Sequence, residues 1–265
     1  MFDKLLLPVD PSKRLKPARE YAIALSEKLD IPLVAAYIVN PKKAGTSTAS
    51  LDTRDGFAAL GKRQLEQIID SNKSIKIKPI IKNGKRHKVL AKMIDEGIGD
   101  TLILGPFRSY LSRLFTGSEV ERILEYESSH AFVVRSPHPL PGPGSPALVV
   151  VDGKEFSEKA ISSIESFARK FRCDVELLYL GQSRINTEFV DSTVVSLRER
   201  LGEKYHITST IIPHTFFKSR KSITNSVIKA EGARIVVLPL ISHLVSDFLL
   251  HQVVLDASVP VCVIR

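Results

Sequence analysis

The chain contains one sequence pattern twice, and this repeat constrains the fold more than any other feature. Residues 5–39 read LLLPVDPSKRLKPAREYAIALSEKLDIPLVAAYIV, and residues 147–181 follow the same order of apolar and polar segments. Each copy opens with an apolar strand that ends in Val-Asp, at Asp10 and Asp152, continues into an amphipathic helix and returns in a second apolar strand. A repeat of this size predicts two copies of one supersecondary unit.

The later strands repeat as well, and a linker separates the two copies. The segment TLILG, residues 101–105, corresponds to IVVLP, residues 235–239. Between the copies, the run PHPLPGPGSP holds five prolines and two glycines. Because proline fixes φ and lacks an N–H donor, this run cannot continue a helix or a sheet. We predict two domains, residues 1–136 and 147–265, joined by the linker 137–146.

Composition indicates a water-soluble globular protein. Of the 265 residues, 43% are apolar and 25% are charged, which argues against a disordered chain. Two domains of this size can each bury a core. No apolar run reaches the roughly 18 residues that a membrane-spanning helix requires, and the N-terminus lacks a secretory signal pattern. We therefore expect a cytoplasmic protein without a membrane span.

Short apolar runs alternate with helical patterns along the first copy. They predict strands at 4–9, 33–39, 75–81, 101–104 and 130–135, and helices at 13–29, 56–71, 84–97 and 118–127. Continuous apolar strands between helices are typical of a parallel sheet covered on both faces, so each copy is predicted to be a doubly wound α/β domain of five strands. A ligand of such a sheet binds beyond the carboxyl ends of its strands, where the strand order reverses. Asp10, Val39 and Gly105 are predicted to share that edge.

A polar segment follows the second strand on the same edge. Residues 40–55, NPKKAGTSTASLDTRD, are rich in threonine, serine and alanine and are predicted to be a loop. Such a loop serves either as a lid over a ligand or as mobile surface.

The cysteines and histidines show neither a disulfide pattern nor a metal pattern. Cys173 and Cys262 are the two cysteines, and each lies in or beside an apolar run, which predicts two buried thiols. The closest histidine pair of the second half, His243 and His251, lacks a zinc-type spacing. We expect no metal site.

The net charge of +9 is concentrated in the first copy. Residues 1–136 carry +7 and residues 137–265 carry +2. Such an excess suits an anionic ligand, and it equally suits a solvated basic face. Because no aromatic-interleaved basic motif or helix-turn-helix pattern accompanies the charge, we expect no nucleic-acid partner.

Residues 103–124, ILGPFRSYLSRLFTGSEVERIL, carry the most chemical information. A strand ends at Gly105, a loop containing Arg108 follows, and Gly117 and Ser118 open a helix. Glycine allows backbone N–H groups to approach a phosphate closely, and a helix N-terminus adds partial positive charge. Ser118 suits either a phosphate contact or ordinary helix capping.

These segments resemble the universal stress protein family, whose ATP-binding members carry a loop of the form G-x2-G-x9-G-[ST]. The resemblance covers almost the whole chain and rests on PVDPS, IIKNGKRHKVLAKMIDEGIGDTLILG, the Gly-Ser pair and HAFVVR, so it is strongest in residues 1–136. It implies two tandem adenine nucleotide α-hydrolase-like, Rossmann-like domains arranged as a pseudo-dimer. It further implies a stress-response protein that binds ATP, AMP or ADP, with magnesium as a candidate companion ion.

By position, the resemblance assigns a nucleotide site to the first domain. Asp10 and Val39 would face adenine and ribose, while Gly105, Gly117 and Ser118 would contact the phosphates. The full candidate set is Pro8, Val9, Asp10, Ser12, Val39, Gly105, Phe107, Arg108, Gly117, Ser118 and Glu119. In this family the last strand commonly pairs with its counterpart in another domain, so pairing of the two domains within the chain, and a further homodimer, are also implied.

The candidate phosphate loop departs from the family pattern. Arg108 stands at the position of the second glycine, eight residues rather than nine separate it from Gly117, and Pro106 removes one N–H. A side chain at a position that requires positive φ would occlude the site. Alternatively, the guanidinium would bind the phosphates through two parallel hydrogen bonds. The sequence leaves both alternatives open.

The second copy departs much further from the family pattern. From Pro239 to Arg265 is 26 positions, against 30 from Gly105 to Arg135, and no glycine occurs in the shorter stretch. We therefore predict a degenerate second domain that is structural or binds another ligand. Asp152 survives there, but an aspartate after a strand also suits capping of a turn.

No catalytic residues are assigned. The chain lacks a G-x-S-x-G elbow, a Walker lysine motif and H-E-x-x-H, so at most slow ATP hydrolysis is expected from a nucleotide-responsive binding protein. An adenylating or ATP-pyrophosphatase enzyme would need a glycine-bearing loop after the first strand, and PVDPSKRLKP has none. The remaining alternative is an interaction module without a ligand, which Arg108 and the shortened loop support.

Overall fold

The chain folds into two compact units. The computed structural model describes residues 1–11, 13–39, 50–105, 129–151, 156–181, 187–213, 220–240, 253–254 and 257–265. The two units are Met1–Pro137 and His138–Arg265. Each contains a parallel sheet with helices between its strands, so the predicted α/β class is confirmed.

The first unit alternates strands and helices. Its elements are β1 (Leu5–Val9), a 3-10 turn (Lys13–Leu15), α1 (Lys16–Leu29), β2 (Leu33–Val39), α2 (Ser50–Asp70), β3 (Ile77–Asn83), α3 (Arg86–Asp95), β4 (Thr101–Leu104) and β5 (His130–Val133). The sheet order is β3-β2-β1-β4-β5, and its strand pairs are parallel. The order reverses between β1 and β4, which is the predicted doubly wound arrangement.

The second unit repeats this arrangement. Its elements are β6 (Ala147–Val151), α4 (Glu158–Phe171), β7 (Val175–Gly181), α5 (Thr187–Leu201), β8 (Ile207–Pro213), α6 (Arg220–Glu231), β9 (Ile235–Pro239) and β10 (Val261–Ile264). The sheet order is β10-β9-β6-β7-β8, again with parallel pairs. The strand register is also the same in the two sheets. In the first, Leu33 is paired with Leu5 and Ile77, and in the second the equivalent Val175 is paired with Ala147 and Ile207.

The central strands form because they are apolar on both faces. Every residue of β1 and β2 is buried, as is every residue of β6 and β9. Parallel sheets require helices on both sides, and right-handed crossovers place α1 and α2 on one face of the first sheet and α3 on the other. Accordingly, α1 packs on β1, β2 and β4, and α2 packs on β2 and β3.

Several element boundaries differ from the prediction. β2 and β4 have the predicted bounds, while β1 begins one residue later and the first helix opens with a 3-10 turn. β3 (Ile77–Asn83), α3 (Arg86–Asp95) and β5 (His130–Val133) differ from the predicted 75–81, 84–97 and 130–135. The helix predicted at 118–127 lies outside the described residues.

The prediction for residues 40–55 was wrong in part. Residues 50–55 belong to α2, which begins at Ser50 rather than at residue 56. Serine, threonine and aspartate are common both in loops and at helix starts, so the composition of this stretch did not separate the two. Residues 40–49 lie outside the described part of the chain.

The two thiols are buried, as predicted, and neither forms a disulfide. Burial raises the pKa of the Cys262 thiol well above its usual value. Within the described ranges, no helix is both long and apolar enough to cross a bilayer. The same ranges contain no group of three or more histidine, cysteine, aspartate or glutamate side chains arranged to hold a metal ion.

Candidate functional site

The carboxyl ends of the parallel strands in the first unit meet at one edge of the sheet. Asp10 directly follows β1, Val39 is the last residue of β2, and Gly105 directly follows β4. The strand order reverses between β1 and β4. In doubly wound sheets a crevice forms at such a reversal, so this edge is the natural location for a ligand.

Asp10 is held in place by an arginine from another part of the unit. Arg86, the first residue of α3, places its Nη2 3.1 Å from Oδ2 of Asp10 and donates a hydrogen bond to it. The Arg86 and Asp10 side chains are only 18% and 20% exposed. A charge-assisted hydrogen bond at this degree of burial fixes the carboxylate more firmly than a solvent-exposed ion pair would.

Tyr37 on β2 lies near enough to this pair for both charges to act on its phenol. Burial raises the pKa of the Tyr37 phenol, the Asp10 carboxylate raises it further, and Arg86 partly opposes the rise. The phenol is therefore protonated at neutral pH and is available as a hydrogen-bond donor beside an acidic side chain.

The Tyr37 ring is positioned by a close helix approach. A Cβ atom added to Gly61 of α2 would lie 2.4 Å from Cδ1 of Tyr37, a distance that real side chains do not reach. Glycine at this position lets the helix backbone approach the ring. Gly61 therefore sets how closely α2 packs on β2.

A cavity of about 370 Å³ lies at the end of β1. It is lined by residues of β1 and the segment after it, of α1 and its preceding turn, and of α2: Leu7, Pro8, Val9, Asp10, Pro11, Leu15, Lys16, Arg19 and Gln64. The volume falls within the range of roughly 300–1,000 Å³ that is usual for small-molecule pockets. Its wall is mostly apolar, with a few polar groups that would orient a bound molecule.

Three of those polar side chains define the chemistry that the cavity offers. The Oε1 atom of Gln64 is buried and accepts no hydrogen bond within the described residues. Arg19 is half-buried, and in the described part of the chain its guanidinium has no carboxylate partner, whereas Lys16 pairs with Glu20 at 3.6 Å. A buried acceptor without a donor costs free energy, so Gln64 favours a ligand that carries a hydrogen-bond donor. The Arg19 guanidinium favours a ligand that carries a negative charge.

Two glycines shape the neighbouring strand ends. The N–H of Gly84 donates to the carbonyl oxygen of Val39 at 2.9 Å, and Gly84 has φ +147°, which favours glycine. One lone pair of the Val39 carbonyl is therefore already used. A Cβ added to Gly105 would lie 2.6 Å from Cδ2 of Leu15, so glycine lets the end of β4 approach the start of α1.

The structure describes five of the sequence-predicted site residues. Pro8, Val9 and Asp10 line the cavity, while Val39 and Gly105 lie at neighbouring strand ends on the same edge. The other candidates, Ser12, Phe107, Arg108, Gly117, Ser118 and Glu119, lie outside the described residues. Their assignment to the phosphates remains a prediction.

Sequence reasoning missed Arg19, Tyr37, Gln64 and Arg86. For Arg86 a signal was present, since it follows β3 by three residues and the carboxyl ends of all parallel strands share one edge. Tyr37 lies two residues before the end of β2, so the same argument could have identified it. Nothing in the local sequence distinguishes Arg19 or Gln64 from the other polar residues of their helices.

The corresponding edge of the second unit is described only in part. Pro239 ends β9 at the position equivalent to Gly105, and Gly181 ends β7 at the position equivalent to Val39. Asp152 and residues 241–252 lie outside the described ranges. The predicted degeneracy of this edge therefore remains a prediction.

Solved structures share the fold of the entire chain. A universal stress protein from Archaeoglobus fulgidus DSM 4304 is 15% identical with a TM-score of 0.75, covering 99% of this chain and 96% of that one. A functionally unknown protein from Pseudomonas aeruginosa PAO1 is 13% identical with a TM-score of 0.63, covering 99% and 92%. The cytoplasmic domain of a prokaryotic cation chloride cotransporter is 11% identical with a TM-score of 0.55, covering 99% and 95%. At such identities the likeness concerns the fold alone.

Family membership rests on the sequence of the first unit. No curated protein matches the chain. The model of the Universal stress protein family matches residues 1–135, just over half of the chain and nearly all of the first unit. The matched region contains β1 to β5 and the cavity beside Asp10. The chain therefore belongs to the universal stress protein family.

Proposed function

We propose that the first unit binds an adenine nucleotide at the carboxyl end of β1 and that the protein is a nucleotide-responsive regulator. The observation that carries this proposal is the cavity of about 370 Å³ whose wall includes Pro8, Val9 and Asp10. These three residues were assigned to the nucleotide site from sequence. They lie in the unit that matches the family.

The side chains around the cavity suit the parts of a nucleotide. Gln64 offers a buried acceptor, which matches the exocyclic amine of adenine or a ribose hydroxyl. The fixed Asp10 carboxylate would accept a hydrogen bond from a ribose hydroxyl. Arg19 and Lys16 offer positive charge on the α1 side, which favours a phosphate. The cavity volume suits the base and sugar, so the phosphates would extend beyond it.

The phosphates would extend from the cavity toward the end of β4. Gly105 approaches Leu15 there, so the residues after β4 start next to the cavity wall. Arg108, Gly117 and Ser118 are the predicted phosphate contacts, with magnesium as the companion ion. A nucleotide held this way would bind to β1, α1, α2 and the segment after β4 together. It would favour one arrangement of these elements by its differential affinity for that arrangement.

Isothermal titration calorimetry tests the proposal on nucleotide-stripped protein with ATP and magnesium. We expect about one ATP per chain, and loss of binding in Gly117→Val because a side chain there blocks close approach of the backbone to phosphate. Gln64→Leu should weaken ATP and adenosine alike by about tenfold, the effect of one buried hydrogen bond. Arg19→Ala should weaken ATP more than adenosine.

Matched controls lie on exposed positions of α2. Gln67→Leu and Arg63→Ala make the same chemical changes away from the cavity and should leave both affinities unchanged. The absence of heat with ATP, ADP and AMP at millimolar concentration would refute the proposal. Equal effects in the cavity variants and their controls would place any binding elsewhere.

The second candidate function is an interaction module that binds no nucleotide. The observation in its favour is that Asp10 already has a charged partner in Arg86, so this carboxylate needs no ligand to be satisfied. If calorimetry shows no binding to the parent protein, Arg86→Ala distinguishes the alternatives. Gain of ATP binding in that variant would mean that the ion pair closes the site, and continued absence would favour the module.

A further inference from the structure

The positive charge of the first unit is concentrated in one segment. Residues 71–94 contain eight lysines and arginines and no aspartate or glutamate. The segment comprises β3, the turn after it and most of α3. Because the whole of residues 1–136 carries +7, this segment accounts for the excess charge of the unit.

The two lysines of β3 lie on one face of the sheet. Tyr37 is opposite Ile81 in the register of β2 and β3, and Tyr37 contacts Gly61 of α2. Side chains alternate along a strand, so Lys78 and Lys82 lie on the other face, where α3 packs. Lys78 and Lys82 are separated by about 13 Å along the strand.

Further exposed lysines precede and follow these two along the chain. We define the lysine face as Lys76 before β3, Lys78 and Lys82 of β3, Lys85 of the following turn and Lys88 of α3, all of which are exposed. Among the described residues none of the five has an acidic partner. By contrast, Lys92 pairs with Glu96 at 3.6 Å and Lys62 with Glu66 at 4.0 Å. The lysine face therefore has its full charge available to a partner.

The outer edge of β3 is unsuited to a peptide strand. Leu33 donates to the carbonyl of Lys76, and Gly84 donates to the carbonyl of Val39, so even-numbered residues of β3 direct their backbone groups toward β2. Pro79 therefore faces outward and offers no N–H for pairing. Lysine and proline are common guards of an edge strand. Lys85 and Lys88 lie beyond the end of the strand, however, so protection of its edge from pairing does not explain their presence.

The surface is also unsuited to insertion into a bilayer. Ile81 is the exposed apolar residue of β3, at 40%, and it lies on the opposite face from Lys78 and Lys82. An interfacial membrane surface places apolar side chains next to its cations. An extended row of unpaired lysines without such side chains is instead complementary to a chain of phosphates.

We infer that the lysine face binds the phosphodiester backbone of a nucleic acid without reading its sequence. The inference is independent of the nucleotide cavity, because none of the five lysines lines that cavity. The sequence contains no nucleic-acid motif, so motif reasoning predicted no such partner. The structure provides a different basis, which is a row of unpaired cations along one strand and the following helix.

Fluorescence anisotropy with two labelled probes, a random duplex DNA of about 25 base pairs and a single-stranded RNA of similar length, tests the inference as a function of salt. Five lysine–phosphate contacts predict a slope of log affinity against log salt of about −4. The variant Lys78→Glu/Lys82→Glu/Lys88→Glu leaves two of the five contacts, so it should reduce the slope to about −2 and weaken binding at least about tenfold at 0.1 M salt. The probe that binds more tightly identifies DNA or RNA as the source of the backbone.

The control is a charge-matched triple variant in the second unit. Lys159→Glu/Lys204→Glu/Lys229→Glu removes the same charge from exposed positions and should leave both slope and affinity within about twofold of the parent. Lys85→Gln/Lys88→Gln is a milder second variant. It removes two contacts and should make the slope shallower by about 1.5. Circular dichroism confirms that each variant is folded.

Three outcomes would overturn the inference. One is no binding to either probe at 50 mM salt, where such contacts are strongest. Another is equal weakening by the two triple variants, which would mean that net charge and not the lysine face is responsible. The third is binding to phosphatidylserine vesicles with no binding to DNA or RNA.

Discussion

The two units share their strand order and register and differ in the side chains attached to that backbone. Leu33 is opposite Leu5 and Ile77 in the first sheet, and Val175 is opposite Ala147 and Ile207 in the second. The first helix of each unit even ends on a residue in the left-handed conformation, Asp30 and Arg172. The backbone frame is therefore compatible with two different sets of side chains, and function must be sought in those side chains.

The equivalent tyrosines of β2 and β7 show the difference in the interior. Tyr37 lies beside the Asp10 and Arg86 charges and against Gly61, whereas Tyr179 packs against Phe156 with ring centroids 5.9 Å apart. Burial raises the pKa of Tyr179 to about 12. One tyrosine thus belongs to a polar site and the other to an apolar core.

The outer strands show the difference at the surface. Thr208 is equivalent to Lys78, and its hydroxyl donates a hydrogen bond to Glu176, which is 2% exposed. Thr210 donates to the same carboxylate at 2.6 Å. The polar groups of β8 therefore satisfy a buried acceptor of their own sheet, while the lysines of β3 remain available to a partner.

The sharpest test of the comparison is the substitution Gly61→Val. A Cβ at this position would lie 2.4 Å from the Tyr37 ring, so helix α2 must move away from β2. We expect a loss of about 2 kcal/mol of stability through overpacking, confined to the first unit. Hydrogen exchange should accelerate in peptides from β2 and remain unchanged in peptides from β7.

The same substitution at Gly56 is the matched control. A Cβ there would meet nothing within 4 Å, so Gly56→Val should change stability by less than about 0.5 kcal/mol. If hydrogen exchange in β2 were equally fast in the two variants, the close packing of α2 on Tyr37 would not be what stabilises the first unit.

The next largest effect is expected from Arg86→Ala. This change leaves a mostly buried Asp10 carboxylate without its 3.1 Å partner, which should cost about 1.5 kcal/mol, again in the first unit only. Lys16→Ala removes an exposed pair with Glu20 and should cost less than about 0.5 kcal/mol. Hydrogen exchange of β1 and β6 measures both, and a response of β6 to Arg86→Ala would break the comparison.

The smallest expected effect concerns Tyr179 and pH. Its folded pKa of about 12 exceeds the ordinary value of 10, so the protonated form contributes stability that is complete below pH 10 and is lost as pH rises toward 12. Between pH 9 and pH 11 the parent should lose about 1 kcal/mol more than Tyr179→Phe in urea unfolding followed by circular dichroism. Identical losses would show that Tyr179 ionises as readily in the fold as in water.

Local sequence predicted the elements whose burial is strongest. The bounds of β2 and β4 were predicted to the residue because continuous apolar runs mark strands that are covered on both faces. The start of α2 was missed because its first residues, from Ser50, carry too few apolar residues to show a helical period. Pattern reasoning depends on regularly spaced apolar residues, and the sequence from Ser50 to Asp55 holds too few of them to show a period.

The candidate site was predictable where it depends on topology and unpredictable where it depends on packing. Asp10 was identified because it follows a central strand at the edge where ligands bind. The Arg86–Asp10 pair joins residues 76 positions apart, and no local pattern encodes that contact. Gln64 lines the cavity because α2 packs beside α1 on the same face, and its neighbour Arg63 has an equally polar side chain that lies exposed.

The buried thiols give the chain a kinetic reporter within the second unit. Both cysteines, Cys173 and Cys262, belong to the second unit, and the first unit has none. A thiol reagent reacts with the exposed thiolate, so it can modify these residues only during transient opening. The rate of labelling therefore measures how often the second unit opens.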